Sequence, residues 1–411
     1  MATETDSRQG YGGDGTQHET FEDIDWDDEG GRTVLSRRDL GVGAAVAVLG
    51  AVFAYDYAVV LPDTPTVEFA LPPSVPLFGD AFLWDVTQLD WLFLLTLVVM
   101  VFYVVVPLSD NRRLTAYYWR QFRKNRLAVV SLGYLVVVFL VGIVGPVFIP
   151  APELELTRQY QPPLFTTVDS SVPLQCVGEV TGDVCHGSLA HPLGTTSDGK
   201  DILVLVIYGM QVSMKLGLIT TLFVISIGTA VGTVAAYSGG MVDEALMRYV
   251  DIQLTFPTFL LYLLLVFLFG GSLFMFIVLF GLTSWGGIAR LVRSEALQLR
   301  EEEYVLAAKS AGANAAYVIR RHLVPNVSST VITAATLAIP GYILAEAALS
   351  FLQLGDPTIP SWGQVIAAGR SDLDSAWWIS TFPGFFLFFT ILAFNFMGDA
   401  LRDALDPRAD R

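Results

Sequence analysis

The chain has 411 residues, of which 53% are hydrophobic and only 16% charged, yet 40 acidic against 24 basic residues give a formal net charge of −16. Soluble domains carry about 25% charged residues, and disordered chains are poor in hydrophobic ones, so the composition excludes both classes and favours a membrane protein. The negative charge also argues against nucleic acid as a partner. With four lysines against twenty arginines, the acidic composition further predicts a prokaryote from a high-salt habitat.

The sequence offers little material for a metal or catalytic centre. It holds two cysteines and four scattered histidines, too few thiolates for a zinc site and without an HExxH spacing. These counts therefore argue against metal catalysis by this chain.

Apolar stretches organise the rest of the chain. Residues 1–40 hold ten carboxylates within the first thirty positions and no apolar repeat, which predicts an acidic disordered tail. Eight stretches then match the roughly 20 helical residues that span a bilayer core. They are 41–61, 90–107, 127–149, 211–237, 254–270, 272–290, 328–352 and 378–399. A turn at Gly270–Ser272 is predicted to separate the fifth from the sixth. The sequence thus predicts an all-α polytopic membrane protein.

The distribution of basic residues predicts the orientation. With a cytoplasmic N-terminus, 20 of the basic residues fall inside and three outside, and Lys215 lies within a span. Cytoplasmic loops carry the excess of lysine and arginine in membrane proteins. Both termini, including the tail 401–411, are therefore expected in the cytoplasm. The loop 150–210 is expected outside and the loop 291–327 inside.

The inside loop has the pattern of two short helices around a turn. Glu301–Glu303 supply negative charge at a helix start, and Gly312 is a natural helix stop. Asn314 can cap a second helix over 315–323, which Pro325 is predicted to end. The spacing alone also fits an amphipathic surface helix without a partner.

Residues 303–326 resemble the EAA loop of binding-protein-dependent ABC transporter permeases. That motif reads Glu-Ala-Ala, three residues, Gly, nine residues, Ile, one residue and Leu-Pro. Ala307, Ala308, Gly312 and Pro325 fall on it, whereas Leu306, His322 and Val324 depart from it. The peptide-transport branch has an acidic-Tyr-Val start and an Arg-His before Pro-Asn. The residues similar to that branch are Glu303, Tyr304, Val305, Arg321, His322, Pro325 and Asn326.

Further segments resemble the same family in order and spacing. They lie within 191–209, 239–257, 344–363 and 393–408, so the resemblance covers about 110–411. It is closest to the C-type permease of dipeptide and oligopeptide importers. The resemblance implies six core helices: one in 108–149, after an amphipathic segment, and the others in 211–400. Residues 41–107 then form an extra transmembrane hairpin before the core, for which a peripheral packing role is the simplest interpretation.

The resemblance implies half of a translocation path in a plasma membrane, without chemistry of its own. The EAA-type loop would couple the chain to two ATPase subunits, which would bind ATP and magnesium. A second related permease would form a heterodimer with it, and an extracytoplasmic binding protein would deliver the substrate. Di- and oligopeptides dominate this branch, but nickel chelates and sugars also occur. The alternatives are a stand-alone secondary transporter or channel, and a membrane-anchored scaffold.

Four other features admit two interpretations each. Gly194–Asp201 fits GxxxxGK but lacks the following Ser or Thr and a preceding strand, so we do not expect a phosphate loop. Cys176 and Cys185 lie in one outside loop, which favours a disulfide over two free thiols. Glu346 lies within an apolar span and would either line the translocation path or partner interface, or reach water near the helix end. Ser36–Leu40 resembles a twin-arginine signal, but no clear cleavage site follows the apolar run, which favours basic anchoring of the first span.

Overall fold

The structure, a computed structural model, describes residues 37–59, 67–70, 81–84 and 86–405. Within these residues the chain is an all-α polytopic membrane protein, as the sequence predicted. Nearly all of the predicted acidic tail and residues 406–411 lie outside the described residues.

Fourteen helices are described. They are α1 (Arg37–Val59), α2 (Gln88–Asp110), α3 (Arg112–Phe122), α4 (Arg126–Phe148), α5 (Ile202–Ser238), α6 (Gly240–Thr255), α7 (Thr258–Phe269), α8 (Leu273–Thr283), α9 (Gly286–Arg300), α10 (Glu303–Ser310), α11 (Ala315–Phe351), α12 (Trp362–Ala368), α13 (Leu373–Ala376) and α14 (Trp378–Leu405). Two small antiparallel sheets accompany them. One pairs β1 (Val67–Ala70) with β2 (Ala81–Trp84), and the other has β5 (Val184–His186) between β3 (Thr167–Asp169) and β4 (Val180–Thr181).

Seven helical segments in the described part of the chain are long and apolar enough to cross a membrane, α8 and α9 together forming one of them. The predicted stretch 254–270 is not one continuous helix, because α6 and α7 meet there at a bend of 72°, and the bent pair would make an eighth span if it crosses as one unit. Proline lacks an N–H and disfavours a helical conformation in the residue before it. Accordingly Phe256, just before Pro257, is extended with φ −71° and ψ 132°. The twelve residues of α7 extend only about 18 Å, against about 30 Å for a hydrocarbon core.

Several helices extend beyond their predicted spans. Helix α5 begins at Ile202 because Asp201 caps it, its Oδ1 accepting from Leu203 N at 2.8 Å and from Val204 N at 3.2 Å. The connection after α4 therefore ends at residue 201, not at 210. Helix α9 continues to Arg300, well into the predicted loop 291–327. The predicted turn between α7 and α8 is present, and Ser272 caps α8 through Met275 N at 3.1 Å.

Helix α5 is the centre of the bundle. It contacts α2, α4, α8, α9, α11 and α14. Its closest neighbour is α9, because Gly228 and Gly232 present no side chain toward it. A Cβ on Gly232 would lie 2.6 Å from the carbonyl oxygen of Ala289, and one on Gly228 would lie 2.8 Å from Ile288 Cβ. Small residues four apart are the usual means of close helix approach in membranes.

We expect Gly232→Val to force α5 and α9 apart, because overpacking of a tight contact costs about 1–3 kcal/mol. The melting temperature of the purified chain in detergent, followed by size-exclusion chromatography, should fall by several degrees. Gly133→Val is the matched control, because Gly133 lies on α4 with nothing within 4 Å of an added Cβ. Equal melting temperatures for the two variants would contradict the proposed tight contact.

Candidate functional site

Residues 301–323, named here the Gly312 segment, connect α9 to the long part of α11. Glu302 is the N-cap of α10, which begins at Glu303, one residue before the predicted start at Tyr304. The acidic residues here are exposed, and their charges favour the positive end of the helix. Val305 is fully buried and fixes α10 against the bundle.

A left-handed glycine ends α10. Gly312 has φ +85°, a conformation that side chains with a Cβ rarely adopt. Its N–H donates to Lys309 O at 3.0 Å, and the N–H of Ala313 donates to Ala308 O at 3.0 Å. These two bonds form a Schellman motif, which satisfies the last carbonyl groups of a helix. The turn therefore reverses the chain without leaving those backbone groups unpaired.

The second helix starts as predicted but does not end as predicted. Asn314 caps α11, its side chain accepting from Tyr317 N at 2.8 Å. We predicted that Pro325 would end a helix over 315–323, and this is wrong, because α11 continues through it to Phe351. A π-helical turn over Ile319–Leu323 precedes the proline, which then lies in the first turn of a regular helix. Proline is tolerated there because its missing N–H needs no partner.

Three aromatic rings form the exposed face of the Gly312 segment. The ring of His322 lies 5.9 Å from that of Tyr304 and 5.7 Å from that of Tyr317. The two tyrosines are 42% and 41% exposed. One comes from α10 and the other from α11, so His322 joins both sides of the turn. The arrangement is an exposed aromatic surface on a fixed backbone.

The other residues that the sequence marked lie around these rings. Ala307, Arg321, Pro325 and Asn326 are exposed and Ala308 is partly buried. Asn326 Nδ2 donates to His322 O at 2.6 Å, within α11.

Two basic side chains hold the Gly312 segment against the end of α5. Arg300 Nη1 donates to Ala236 O at 2.9 Å. Lys309 Nζ lies 5.0 Å from the centre of the Tyr237 ring, a cation–π distance. The position of the segment is thus tied to the central helix.

Ion pairs add a second attachment, which the sequence analysis did not find. Asp243 of α6 receives two hydrogen bonds from Arg293 of α9, both at 2.5 Å. Asp251 of α6 pairs with Arg290 of α9. The partners are separated by 50 and 39 positions, so no local pattern indicates them. Helix α6 therefore lies against the helix that leads into the Gly312 segment.

Glu346 lies inside the fold of this chain. Its side chain belongs to α11, is 3% exposed, and accepts from Ser350 Oγ at 2.6 Å. Helix α12 approaches α11 at the next residue, because a Cβ on Gly363 would lie 2.2 Å from Ala347 O. In this conformation the carboxyl reaches neither water nor an open surface of the chain.

At the opposite end of the bundle, Cys176 and Cys185 form a disulfide, with their Cα atoms 5.9 Å apart. Gln161 holds this region from the other side and is 2% exposed. Its Nε2 donates to Gln175 O at 2.7 Å and its Oε1 accepts from Val177 N at 2.9 Å. This role could not be predicted, because Gln161 is one of several polar residues in its stretch and its partners lie 14 and 16 positions away.

The segment Gly194–Asp201 is the entry into α5, and no strand directly precedes it. Its polar groups are engaged within the fold: Thr195 O accepts from Trp378 Nε1 at 3.1 Å, and Asp201 pairs with His191 at 2.8 Å. In the part of the chain that the structure describes, no three His, Cys, Asp or Glu side chains are arranged to hold a metal ion.

The structure so far is a membrane-spanning helical bundle with an exposed turn, the Gly312 segment, that is tied to its central helix. Residues 228–411 match the family described as binding-protein-dependent transport system inner membrane component. Residues 114–163 match the N-terminal transmembrane domain of oligopeptide transport permease C.

Curated relatives agree with these family matches. The chain is 36% identical over 297 residues to the dipeptide transport system permease protein DppC of Bacillus subtilis, covering 71% of this chain and 85% of that protein. It is 35% identical over 290 residues to the oligopeptide transport system permease protein OppC of Haemophilus influenzae, covering 70% and 87%. It is also 37% identical over 222 residues to the glutathione transport system permease protein GsiD of Pectobacterium atrosepticum, covering 54% and 74%.

The chain therefore belongs to the family of binding-protein-dependent permeases and is a permease subunit of an ABC importer. The alternative of a stand-alone secondary transporter or channel is wrong.

We expect Gly312→Val to open the turn of the Gly312 segment, because a Cβ in the left-handed region costs about 1–2 kcal/mol. Gly312→Asn is the matched control, because asparagine tolerates this conformation. The cost lowers the free energy of local opening, and about 1.4 kcal/mol corresponds to a factor of ten. Hydrogen exchange of amides 303–323 in detergent should therefore be about tenfold faster in the valine variant than in the wild-type chain. Unchanged protection in Gly312→Val would show that the turn does not depend on a left-handed glycine.

Proposed function

We propose that this chain forms half of the translocation path of an ATP-driven importer for di- or oligopeptides in a prokaryotic plasma membrane. A second related permease supplies the other half. Two ATPase subunits bind the ATP and magnesium, and this chain binds neither. The high-salt habitat stays a prediction from composition alone.

The proposed orientation puts the Gly312 segment in the cytoplasm. The excess of basic residues in the connections on that side supports it. The disulfide at the other end supports it as well, because disulfides persist in oxidising compartments outside the cytosol. The Gly312 segment then faces the compartment that contains ATP.

The observation that carries the proposal is the exposed aromatic surface of Tyr304, His322 and Tyr317. Aromatic side chains dominate the energetics of protein interfaces, and a fixed backbone lowers the entropy cost of docking. Arg300 and Lys309 tie the surface to α5. A push from an ATPase subunit would therefore reach the central helix of the bundle. We infer that the Gly312 segment is the coupling loop and that residues 303–326 dock on the ATPase.

We expect Tyr304→Ala combined with Tyr317→Ala to release the ATPase subunits. Loss of one interface hot spot costs roughly 2 kcal/mol or more, which is about 30-fold in affinity. Co-purification of the ATPases with the permease pair and peptide uptake should both fall, while membrane insertion persists. Tyr57→Ala is the control, because Tyr57 is 82% exposed on α1. Retained association and uptake in the double variant would overturn the coupling assignment.

The disulfide-containing connection between α4 and α5 is the proposed contact for the extracytoplasmic binding protein. Phe165 is 93% exposed and Leu189 79% exposed. The turns that carry them are neighbours, because Gly187 N donates to Thr166 O at 3.0 Å and Leu164 N to Pro192 O at 3.1 Å. Two large apolar side chains exposed on this disulfide-bonded loop favour contact with a protein partner over contact with water.

We expect Phe165→Ser combined with Leu189→Ser to weaken docking of the binding protein by about tenfold or more, since buried apolar anchors at interfaces carry most of the binding energy. The affinity of the purified binding protein for the importer in nanodiscs measures this effect. Met241→Ser is the control, because Met241 is 88% exposed at the start of α6, away from this loop. An unchanged affinity would show that the binding protein docks elsewhere.

The substrate class rests on the relatives. Those compared are named transporters of dipeptides, oligopeptides or glutathione. Competition of uptake by di-, tri- and longer peptides tests the assignment and sets the length preference. Uptake that peptides do not compete with, but that a nickel chelate or a sugar does, would overturn it.

A further inference from the structure

Helices α1 and α2, named here the N-terminal hairpin, precede the residues that the family matches cover, which begin at residue 114. The two helices contact each other. Trp91 Nε1 of α2 donates to Asp56 Oδ2 of α1 at 3.1 Å. The two helices of the hairpin are therefore joined to each other, and two further contacts join the hairpin to the core.

One contact lies near the end of the bundle that carries the disulfide. Asp90 of α2 pairs with Lys215 of α5 at 2.6 Å, and the two side chains are only 10% and 13% exposed. Asp90 also closes a capping box with Thr87, which fixes its position at the start of α2. A lysine within a membrane span needs such a partner, because an unpaired buried charge is costly. The hairpin thus supplies the counter-charge to the central helix.

The other contact lies at the opposite end and reaches the Gly312 segment itself. Asp39 of α1 pairs with Arg320 at 2.8 Å, and the carboxylate side chain is 11% exposed. Tyr103 of α2 donates its hydroxyl proton to Asp39 at 3.1 Å, and Arg38 lies 4.9 Å from the Tyr103 ring. The side chain of Asp39 in α1 thus contacts Tyr103 of α2 and Arg320 of α11. Its carboxylate is a fixed anchor rather than a mobile surface group.

Arg320 lies in the π-helical turn, two positions before His322. Such turns are wider than regular helix and often occur at functional sites. An anchor on Arg320 restrains this turn, and the turn carries one ring of the exposed aromatic surface.

We propose that the N-terminal hairpin is part of the coupling apparatus, with Asp39 as a positioning residue for the π-helical turn. The hairpin connects Lys215 of the central helix with Arg320 of the coupling loop. Movement of the loop and movement of the central helix are thereby linked along a second path, outside the core. The proposal rests on the proposed function of the Gly312 segment, and it replaces the peripheral packing role expected from the sequence.

The first experiment compares Asp39→Asn, Arg320→Gln and the charge exchange Asp39→Arg with Arg320→Asp. The readout is the amount of peptide imported per ATP hydrolysed, measured on the complete importer in proteoliposomes. A partly exposed ion pair supports an expected loss of about threefold in each single variant. The charge exchange should restore the ratio, and Tyr57→Ala on the same hairpin should leave it unchanged. Single variants with the wild-type ratio would overturn the proposal.

The second experiment replaces the ion pair by a reversible cross-link, with Asp39→Cys and Arg320→Cys joined by a bis-methanethiosulfonate reagent. The spacer of the reagent replaces the reach of the arginine side chain, which a cysteine lacks. The two cysteines of the sequence are bonded to each other, so a new cross-link is unambiguous. Each single variant should show the low ratio after the same treatment. The cross-linked double variant should show the wild-type ratio, and reduction should lower it again. Wild-type importer treated with the same reductant controls for loss of the native disulfide.

The two assignments fail in different ways. If the cross-linked double variant is no better than the reduced one, the hairpin does not position the turn, even when the ATPases stay bound. If Tyr304→Ala with Tyr317→Ala leaves the ATPases associated, the coupling site itself is misplaced, whatever the cross-link does.

Discussion

The contact between α5 and α9 is the constraint on which the rest of the structure depends. Two glycines on one face of α5 allow α9 to approach until backbone meets backbone. Helix α9 then leads directly to Arg300, which binds the last turn of α5, and into the Gly312 segment. The orientation of the exposed aromatic surface is therefore a consequence of helix packing inside the membrane. A change of a few tenths of an ångström in that packing would be carried to the surface by a continuous helix.

Charged groups join elements that are distant in the sequence. Asp243 with Arg293, Asp251 with Arg290, and Asp39 with Arg320 all lie around the same end of the bundle. Each pair is at least partly exposed, so each contributes little to stability. Their effect is geometric, because each fixes the direction in which one helix end can move. The pair Asp90 with Lys215 differs, because its burial makes each partner necessary to the other.

Local chemistry determined what could be predicted from the sequence. The acidic start of α10, the turn at Gly312 and the cap at Asn314 were predicted, because each depends on a few adjacent residues. The behaviour of the two prolines was harder to predict. Pro257 breaks a stretch that hydropathy alone treats as one span, whereas Pro325 follows a π-helical turn and leaves α11 continuous. The ion pairs and the role of Gln161 were not predicted, because their partners meet only through packing. The burial of Glu346 was not predicted for the same reason, because it depends on the packing of α12 against α11.

The disulfide between Cys176 and Cys185 also sets the order in which membrane insertion and folding of the loop take place. Thiols stay reduced in the cytosol, so under the proposed orientation this bond forms only after the loop has crossed the membrane. The hydrogen bonds of Gln161 to Gln175 and Val177, on the chain beside Cys176, then depend on a stretch that oxidation has fixed. The outer surface of the permease thus reaches its final shape later than its helices. Under that orientation, maturation of this subunit requires the oxidising chemistry of the compartment outside as well as insertion into the membrane.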